Sequence, residues 1–324
     1  MNLRHAKTVL LGAIALSLVA SLFSRHISGY PLFVAYNIGI SLIMAVSLNL
    51  INGYTGQFSL GHAGFMAVGA YSSAVITNHF GDLNVFAANA VFTFALLAGG
   101  LAAALAGLLV GVPTLRLRGD YLAIVTLGFG EIIRVILQNM EAVGGARGLS
   151  VTHGWTNLFW TFGLAAVTVY VVAALVNSTY GRGFIAVRDD EVAAEAMGIN
   201  STKYKVTAFA VGAFFAGIAG GLYAHAIQFL TPNGFGFMLS IAYVVMVILG
   251  GMGNTIGVIL AAILLTLLPE GLRMLADIEH LPGIAGSRPL SWVENTRMII
   301  YSLLLIVLML TRPQGLFTLR RRSR

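Results

Sequence analysis

Cysteine is absent from all 324 residues. That removes a disulfide framework, an iron–sulfur cluster and thiol chemistry from consideration. Proline is scarce, with 7 residues. Charge is scarcer still for this length: 19 Lys/Arg and 12 Asp/Glu make up 10% of the chain, where a soluble domain carries about 25%. A water-soluble fold could not cover its surface with so few charges, which excludes a cytosolic enzyme, a nucleic-acid binder and a disordered chain. The motif Gly-x-x-x-x-Gly-Lys-Ser/Thr is also missing, so the chain has no loop of that kind to cradle ATP phosphates.

Apolar residues are abundant at 58%, and glycine is frequent, with 38 residues. A membrane span needs about 20 apolar residues, and small residues let spans approach closely in lipid. The chain is therefore expected to be an all-α, polytopic transmembrane bundle, a single domain over 1–324. Apolar runs fall at about 8–23, 31–51, 63–78, 85–112, 120–139, 158–176, 206–230, 239–252, 255–272 and 295–311. They predict ten spans, or eight if two segments are re-entrant. The first run reads better as a retained span than as a cleaved signal peptide, because further spans follow at once.

The distribution of basic residues sets the orientation. With the N-terminus inside, the inner loops hold Arg4, Lys7, Arg116, Arg118, Arg182, Arg188, Lys203, Lys205, Arg312, Arg320, Arg321, Arg322 and Arg324. The outer loops hold only Arg25, Arg147, Arg273 and Arg288. Both termini are accordingly expected in the cytoplasm.

Two polar, glycine-rich stretches interrupt the apolar pattern. The first runs from Asn49 to Gly64 and carries Asn49, Asn52, Tyr54, Gln57, Ser59 and His62; the second runs from Gly250 to Gly257. Backbone broken at membrane depth has to be buried in protein or line a wet cavity. Paired glycine-interrupted segments point to a transport site, and a tight inter-helix turn is the plainer alternative. The polar residues of the first break are candidates for lining a translocation path. Glu131 and Arg134 stand three residues apart on one helix face. They either line that path or form a structural ion pair near the outer end of their span. His62 and His225 read as hydrogen-bonded core residues, and no metal-ligand spacing is present.

The longest inner loop, 177–205, holds the densest charge. Asp189 is placed as a helix N-cap, with Asp190 and Glu191 in the first turn and Gly198 as the stop. Val192, Ala193, Ala196 and Met197 give this short helix a small apolar face, and its acidic character favours a protein partner over anionic lipid.

The stretch from Asn49 to Tyr71 resembles the signature of LivM-type permease subunits of ABC importers for branched-chain amino acids. Leu115 to Arg134 is similar to the second marker of that family, and Arg188 to Asn200 to its coupling segment. Val245 to Gly257 and Arg312 to Phe317 also fit. The resemblance implies a permease in the bacterial inner membrane. Its partners would be a LivH-type second permease subunit, two cytoplasmic ATPase subunits and a periplasmic substrate-binding protein. ATP and Mg would sit on the ATPases, and no cofactor on this chain. Arg188, Asp189, Asp190, Glu191, Glu195, Ala196 and Gly198 would couple the chain to ATP hydrolysis. Related permeases for urea or short amides keep the substrate open. An ion-coupled transporter or a channel is the rival class.

Overall fold

The structure is a computed structural model that describes residues 3–23, 29–80, 84–114, 120–277, 299, 302–303, 306–307, 310–311 and 315–316. Its helices are α1 (Leu3–Phe23), α2 (Tyr30–Asn49), α3 (His62–Asn78), α4 (Val85–Thr114), α5 (Asp120–Asn139), α6 (Leu158–Asn177), α7 (Thr179–Asp189), α8 (Glu191–Ala196), α9 (Ser201–Ile227), α10 (Phe237–Gly250) and α11 (Thr255–Asp277). The described strands are two short ones, β1 (Leu149–Ser150) and β2 (Phe229–Leu230), which pair antiparallel with Leu149 opposite Leu230.

Among the described residues, seven helices are long and apolar enough to cross a membrane. They correspond to α2 with the turn that extends it, α4, α5, α6, α9, α10 with the turn from Pro232 that leads into it, and α11. Together they make the chain an all-α polytopic membrane protein. The ten expected spans also included α1, α3 and 295–311. Within α1 the apolar stretch Leu10–Val19 is shorter than a full crossing, and α3 has 17 residues, about 25 Å at 1.5 Å per residue. Most of 295–311 lies outside the described residues, as do Arg116, Arg118 and the basic C-terminal residues from Arg320 onward.

The core is built where α3, α4 and α9 meet. Glycine makes that meeting possible. A Cβ on Gly69 of α3 would stand 2.2 Å from both Cα and O of Gly217 on α9, and one on Gly99 of α4 would stand 2.8 Å from Gly69 O. Backbones this close leave no space for a methyl group, and the large side chains Phe65, Phe92, Phe209 and Leu222 fill the volume on either side, fully buried. Close backbone approach is the main source of helix adhesion in lipid, where the hydrophobic effect between helices is lost. Around this centre α2 packs on α6, α9, α10 and α11, and α1 packs on α6. By contrast, α5 leaves Tyr121, Ile124, Ile132, Val135 and Ile136 exposed, an apolar face suited to lipid or to another subunit.

One end of the bundle carries a small cap. The β1–β2 ribbon is extended by Val151 N donating to Gln228 O at 2.8 Å. Asn78, at the end of α3, holds it by donating to Ser150 O at 2.7 Å and accepting from Thr152 N at 2.9 Å. The opposite end gathers residues 50–57, α7, α8 and the turn at 251–254.

Candidate functional site

The first break is a change of helix type followed by an extended return. After Asn49 the chain passes through a π-helical turn, Leu50–Tyr54, and then runs non-helically to α3. His62 Nε2 lies 2.9 Å from Ser47 Oγ. Tyr54 is seven residues further along the helix than Ser47, about 10 Å at 1.5 Å per residue. So α3 starts beside Ser47, about two turns before the end of the π-helical turn at Tyr54. Freed backbone groups find side-chain partners. Ser59 N donates to Asn52 Oδ1 at 3.2 Å, Leu60 N to Thr126 Oγ1 at 3.0 Å and Ala63 N to Ser240 Oγ at 3.1 Å. Unpaired backbone at this depth would be costly.

The return segment alternates in an unusual sense. Gln57 and Ser59 are buried, while Phe58 between them and Leu60 after them are partly exposed. Asn49, Asn52, Gln57, Ser59 and His62 are all buried inside the chain, and Tyr54 is half-buried. Five buried atoms here have no protein partner: Asn49 Nδ2, Gln57 Nε2 and Oε1, Ser59 Oγ and His62 Nδ1. Each unpaired buried polar atom costs roughly 1–3 kcal/mol. A group of them within one short segment is a feature of functional sites, where local rules are broken at the expense of stability.

The structure brings the two breaks together. Gly253 N donates to Asn49 Oδ1 at 2.9 Å, and the Tyr54 hydroxyl lies 2.8 Å from Thr255 Oγ1. The contact requires glycine on both sides, because a Cβ on Gly53 would stand 2.3 Å from Gly253 N and 2.1 Å from Asn49 Oδ1. Gly253 itself has φ +80°, a left-handed conformation that glycine adopts freely. Leu316 N reaches the same place, donating to Leu249 O at 2.7 Å.

Arg188 arrives at this junction from α7. Its Nε and Nη2 donate to Asp189 Oδ1 at 3.0 and 2.8 Å, and its Nη1 lies 3.5 Å from Gly53 O. The segment differs from its sequence reading in two respects. First, residues 179–189 form a helix, α7, started by Ser178, whose Oγ accepts from Gly181 N. Second, the N-cap of α8 is Asp190 rather than Asp189. Asp190 is extended and its Oδ1 accepts from Val192 N and Ala193 N, while Asp189 still belongs to the last turn of α7. Gly198 stops α8 as the pattern predicts. It has φ +83°, and Gly198 N and Ile199 N donate to Glu195 O and Ala194 O, the Schellman arrangement.

The acidic residues of α8 turn back into the chain. Glu191 Oε1 accepts from Lys205 Nζ at 2.6 Å, with Lys205 nearly buried, and Glu195 accepts from the Ser201 hydroxyl. Ala194 is buried beneath. The exposed apolar residues are Val192 at 62% and Met197 at 82%, with Ala193 and Ala196 beside them; Asp190 and Glu195 are exposed too, each engaged in a hydrogen bond within the chain.

At the capped end, Glu131 and Arg134 form an ion pair at 2.7 Å. Glu131 also accepts from Phe237 N, the first residue of α10, at 3.2 Å. Arg134 Nη1 and Gln138 Nε2 donate to Asn233 Oδ1 at 2.9 and 2.7 Å. The pair thus bolts α5 to the turn and helix start at 232–237. His225 is a hydrogen-bonded core residue, with Nδ1 2.8 Å from Gly221 O and Nε2 3.0 Å from Thr77 Oγ1. Among the described residues no group of three or more His, Cys, Asp or Glu could hold a metal. The sequence reading missed Ser47, Thr126, Ser240 and Asn233. The first three were visible only as lone polar residues in apolar helices, and Asn233 only as a turn residue.

Residues 30–309 match the family described as the branched-chain amino acid transport system permease component. The chain belongs to this family. Relatives include the high-affinity branched-chain amino acid transport system permease protein LivM of Salmonella typhimurium and its Escherichia coli counterpart. Each is 35% identical over 317 residues, covering 87% of this chain and 68% of the relative. A probable LivM of Methanocaldococcus jannaschii is 26% identical, covering 86% of this chain and 90% of the relative. No solved structure matches. Within a permease family the two joined breaks and the α7–α8 segment become the natural places to look for transport and its control.

Proposed function

We propose that the chain is one of two permease subunits in an ATP-driven importer that moves branched-chain amino acids across a bacterial inner membrane. The observation that carries this reading is the α7–α8 segment. It exposes the apolar side chains of Val192 and Met197, is tied to α9 by the Glu191–Lys205 and Glu195–Ser201 contacts, and reaches both breaks through Arg188. A short rigid helix with an unpartnered apolar face is suited to seat in a groove of an ATPase subunit. Family membership supplies the permease class and the substrate class.

In this reading α1, α3 and 295–311 complete about ten spans, and the excess of basic residues on the α7–α8 side makes that side and both termini cytoplasmic. A LivH-type partner covers the exposed apolar face of α5, a periplasmic binding protein docks at the capped end, and two ATPase subunits bind ATP and Mg. Membrane breaks and segment move between two states as nucleotide binds and leaves. An ion-coupled mechanism is disfavoured because Glu131 is already paired with Arg134.

The test is purification of the chain with its co-encoded partners, followed by uptake of labelled leucine, isoleucine, valine, urea and acetamide into proteoliposomes. Uptake of the three amino acids that needs both ATP and the binding protein is expected. Uptake by this chain alone, driven by an ion gradient or by none, overturns the proposal. Preference for urea or acetamide overturns the substrate assignment alone.

A further inference from the structure

Arg188 reaches beyond the α8 surface to the junction of the two breaks. It stands two residues before the N-cap of α8, and its partly exposed side chain reaches the junction of the breaks. Its stem lies along Gly56 so closely that a Cβ there would be 2.9 Å from Arg188 Cγ and 3.4 Å from its Cα. Its guanidinium reaches Gly53 O at 3.5 Å. A Cβ on Gly253 would stand 3.1 Å from Arg188 Nη1 and 3.1 Å from Gly53 O. One side chain therefore touches the first break at two residues and the second break at one, with glycine at all three.

Asp189 fixes the direction of the fork by accepting from Nε and Nη2, which leaves Nη1 toward the breaks. The breaks are in turn tied to each other by Asn49 to Gly253 and by Tyr54 to Thr255. Two residues of backbone and one planar side chain thus link α8 to both breaks.

We infer that Arg188, oriented by Asp189, is the positioning residue that transmits movement of α8 to both membrane breaks, so that its loss separates ATP hydrolysis from transport. This rests on the reading of α8 as the ATPase-facing helix. The two can be separated by experiment, using the complete complex in proteoliposomes with leucine as the probe. The quantity read is leucine transported per ATP hydrolysed, at matched amounts of assembled complex.

Arg188→Ala is expected to lower this ratio about tenfold, inside the ~5–150-fold range usual for coupling between linked sites. Arg188→Lys keeps the charge but cannot make the forked contact, and should restore part of the ratio. Asp189→Asn leaves Arg188 in place without its orienting charge and should fall between wild type and Arg188→Ala. It carries the test if Arg188→Ala does not assemble. Gly198→Pro in the same complex reports on α8 itself. If it abolishes uptake while the Arg188 and Asp189 variants keep the wild-type ratio, the inference about Arg188 is wrong and the coupling reading stands. If Gly198→Pro transports normally, the coupling reading fails and the inference fails with it.

Discussion

Gly53→Ala probes the junction of the two breaks most directly. The added Cβ would stand 2.1 Å from Asn49 Oδ1, 2.3 Å from Gly253 N and 3.0 Å from Gly253 Cα. Ordinary non-bonded contact needs about 3.5 Å or more, so the two segments have to part by roughly 1 Å. That stretches the 2.9 Å bond from Gly253 N to Asn49 Oδ1 out of hydrogen-bond range. Overpacking of a tight site costs about 1–3 kcal/mol. Leaving a buried N–H unpaired costs a further ~1–3 kcal/mol. The expected loss is therefore about 2–6 kcal/mol, a fall in melting temperature of roughly 4–12 °C at ~2 °C per kcal/mol for a large chain. Thermal unfolding of the purified chain in detergent measures it, with uptake at matched membrane abundance as the functional readout. Gly271→Ala is the control. Nothing lies within 4 Å of a Cβ there, and alanine gains up to about 1 kcal/mol of helix propensity, so its melting point should hold or rise. A Gly53→Ala protein that melts with the wild type and transports normally would refute the claim that the breaks are held together at Gly53 and Gly253.

Three further outcomes follow from local geometry. Gly198→Pro cannot adopt φ +83° and removes the N–H that bonds Glu195 O. Uptake should be lost while membrane insertion persists, and Gly198→Asn should retain most uptake because asparagine tolerates the left-handed region. Thr77→Val removes the partner of His225 Nε2 in a buried site; a loss of about 1–2 kcal/mol is expected in detergent melting. Glu131→Gln keeps the acceptor for Phe237 N but loses the charge, and Glu131→Ala loses both. Since the pair is about a third exposed, the ion pair itself is worth under ~1 kcal/mol. Melting points should fall in the order wild type, Gln, Ala, and the effect of Asn233→Ala should be smaller in the Ala background than alone.

How much of this was legible in the sequence differs by kind of feature. Seven of the ten expected spans were legible because hydropathy alone specifies them, and the two breaks because a glycine-rich polar run is foreign to lipid. Gly198 was legible because helix stops are local. The joining of the breaks was not, since Asn49 and Gly253 lie 204 residues apart and nothing local links them. Helix α7 was obscured by Gly181 and Gly183, which lower helix propensity and which the structure uses for packing: a Cβ on Gly183 would collide with the Tyr204 ring. The shift of the α8 cap from Asp189 to Asp190 has the same origin, because the residue that caps α8 is decided by where α7 ends.

The direction of the charged side chains was the least legible feature, and it has the largest consequence. A cluster of six charges within 182–195 reads as a patch offered to a partner. In the structure Glu191 is taken by Lys205, Glu195 by Ser201 and Asp189 by Arg188, and Asp190 caps α8. These contacts tie α8 to α7 and α9, and Val192, Ala193, Ala196 and Met197 are exposed beside the already partnered Asp189, Asp190 and Glu195. At the capped end Glu131 and Arg134 act in the same way, tying α5 to the start of α10. A chain with few charges uses these to brace its own elements. If α8 docks on an ATPase as proposed, recognition would draw on the apolar residues, since the charges beside them are already partnered, and would be weakly sensitive to salt. Exchanging Met197 for glutamate should weaken assembly more than exchanging Glu195 for glutamine, since glutamine still accepts from Ser201 while a charge at position 197 faces the partner. Co-purification of the ATPase subunits with each variant measures the difference. Equal retention of both would show that the outward apolar face is not the docking surface.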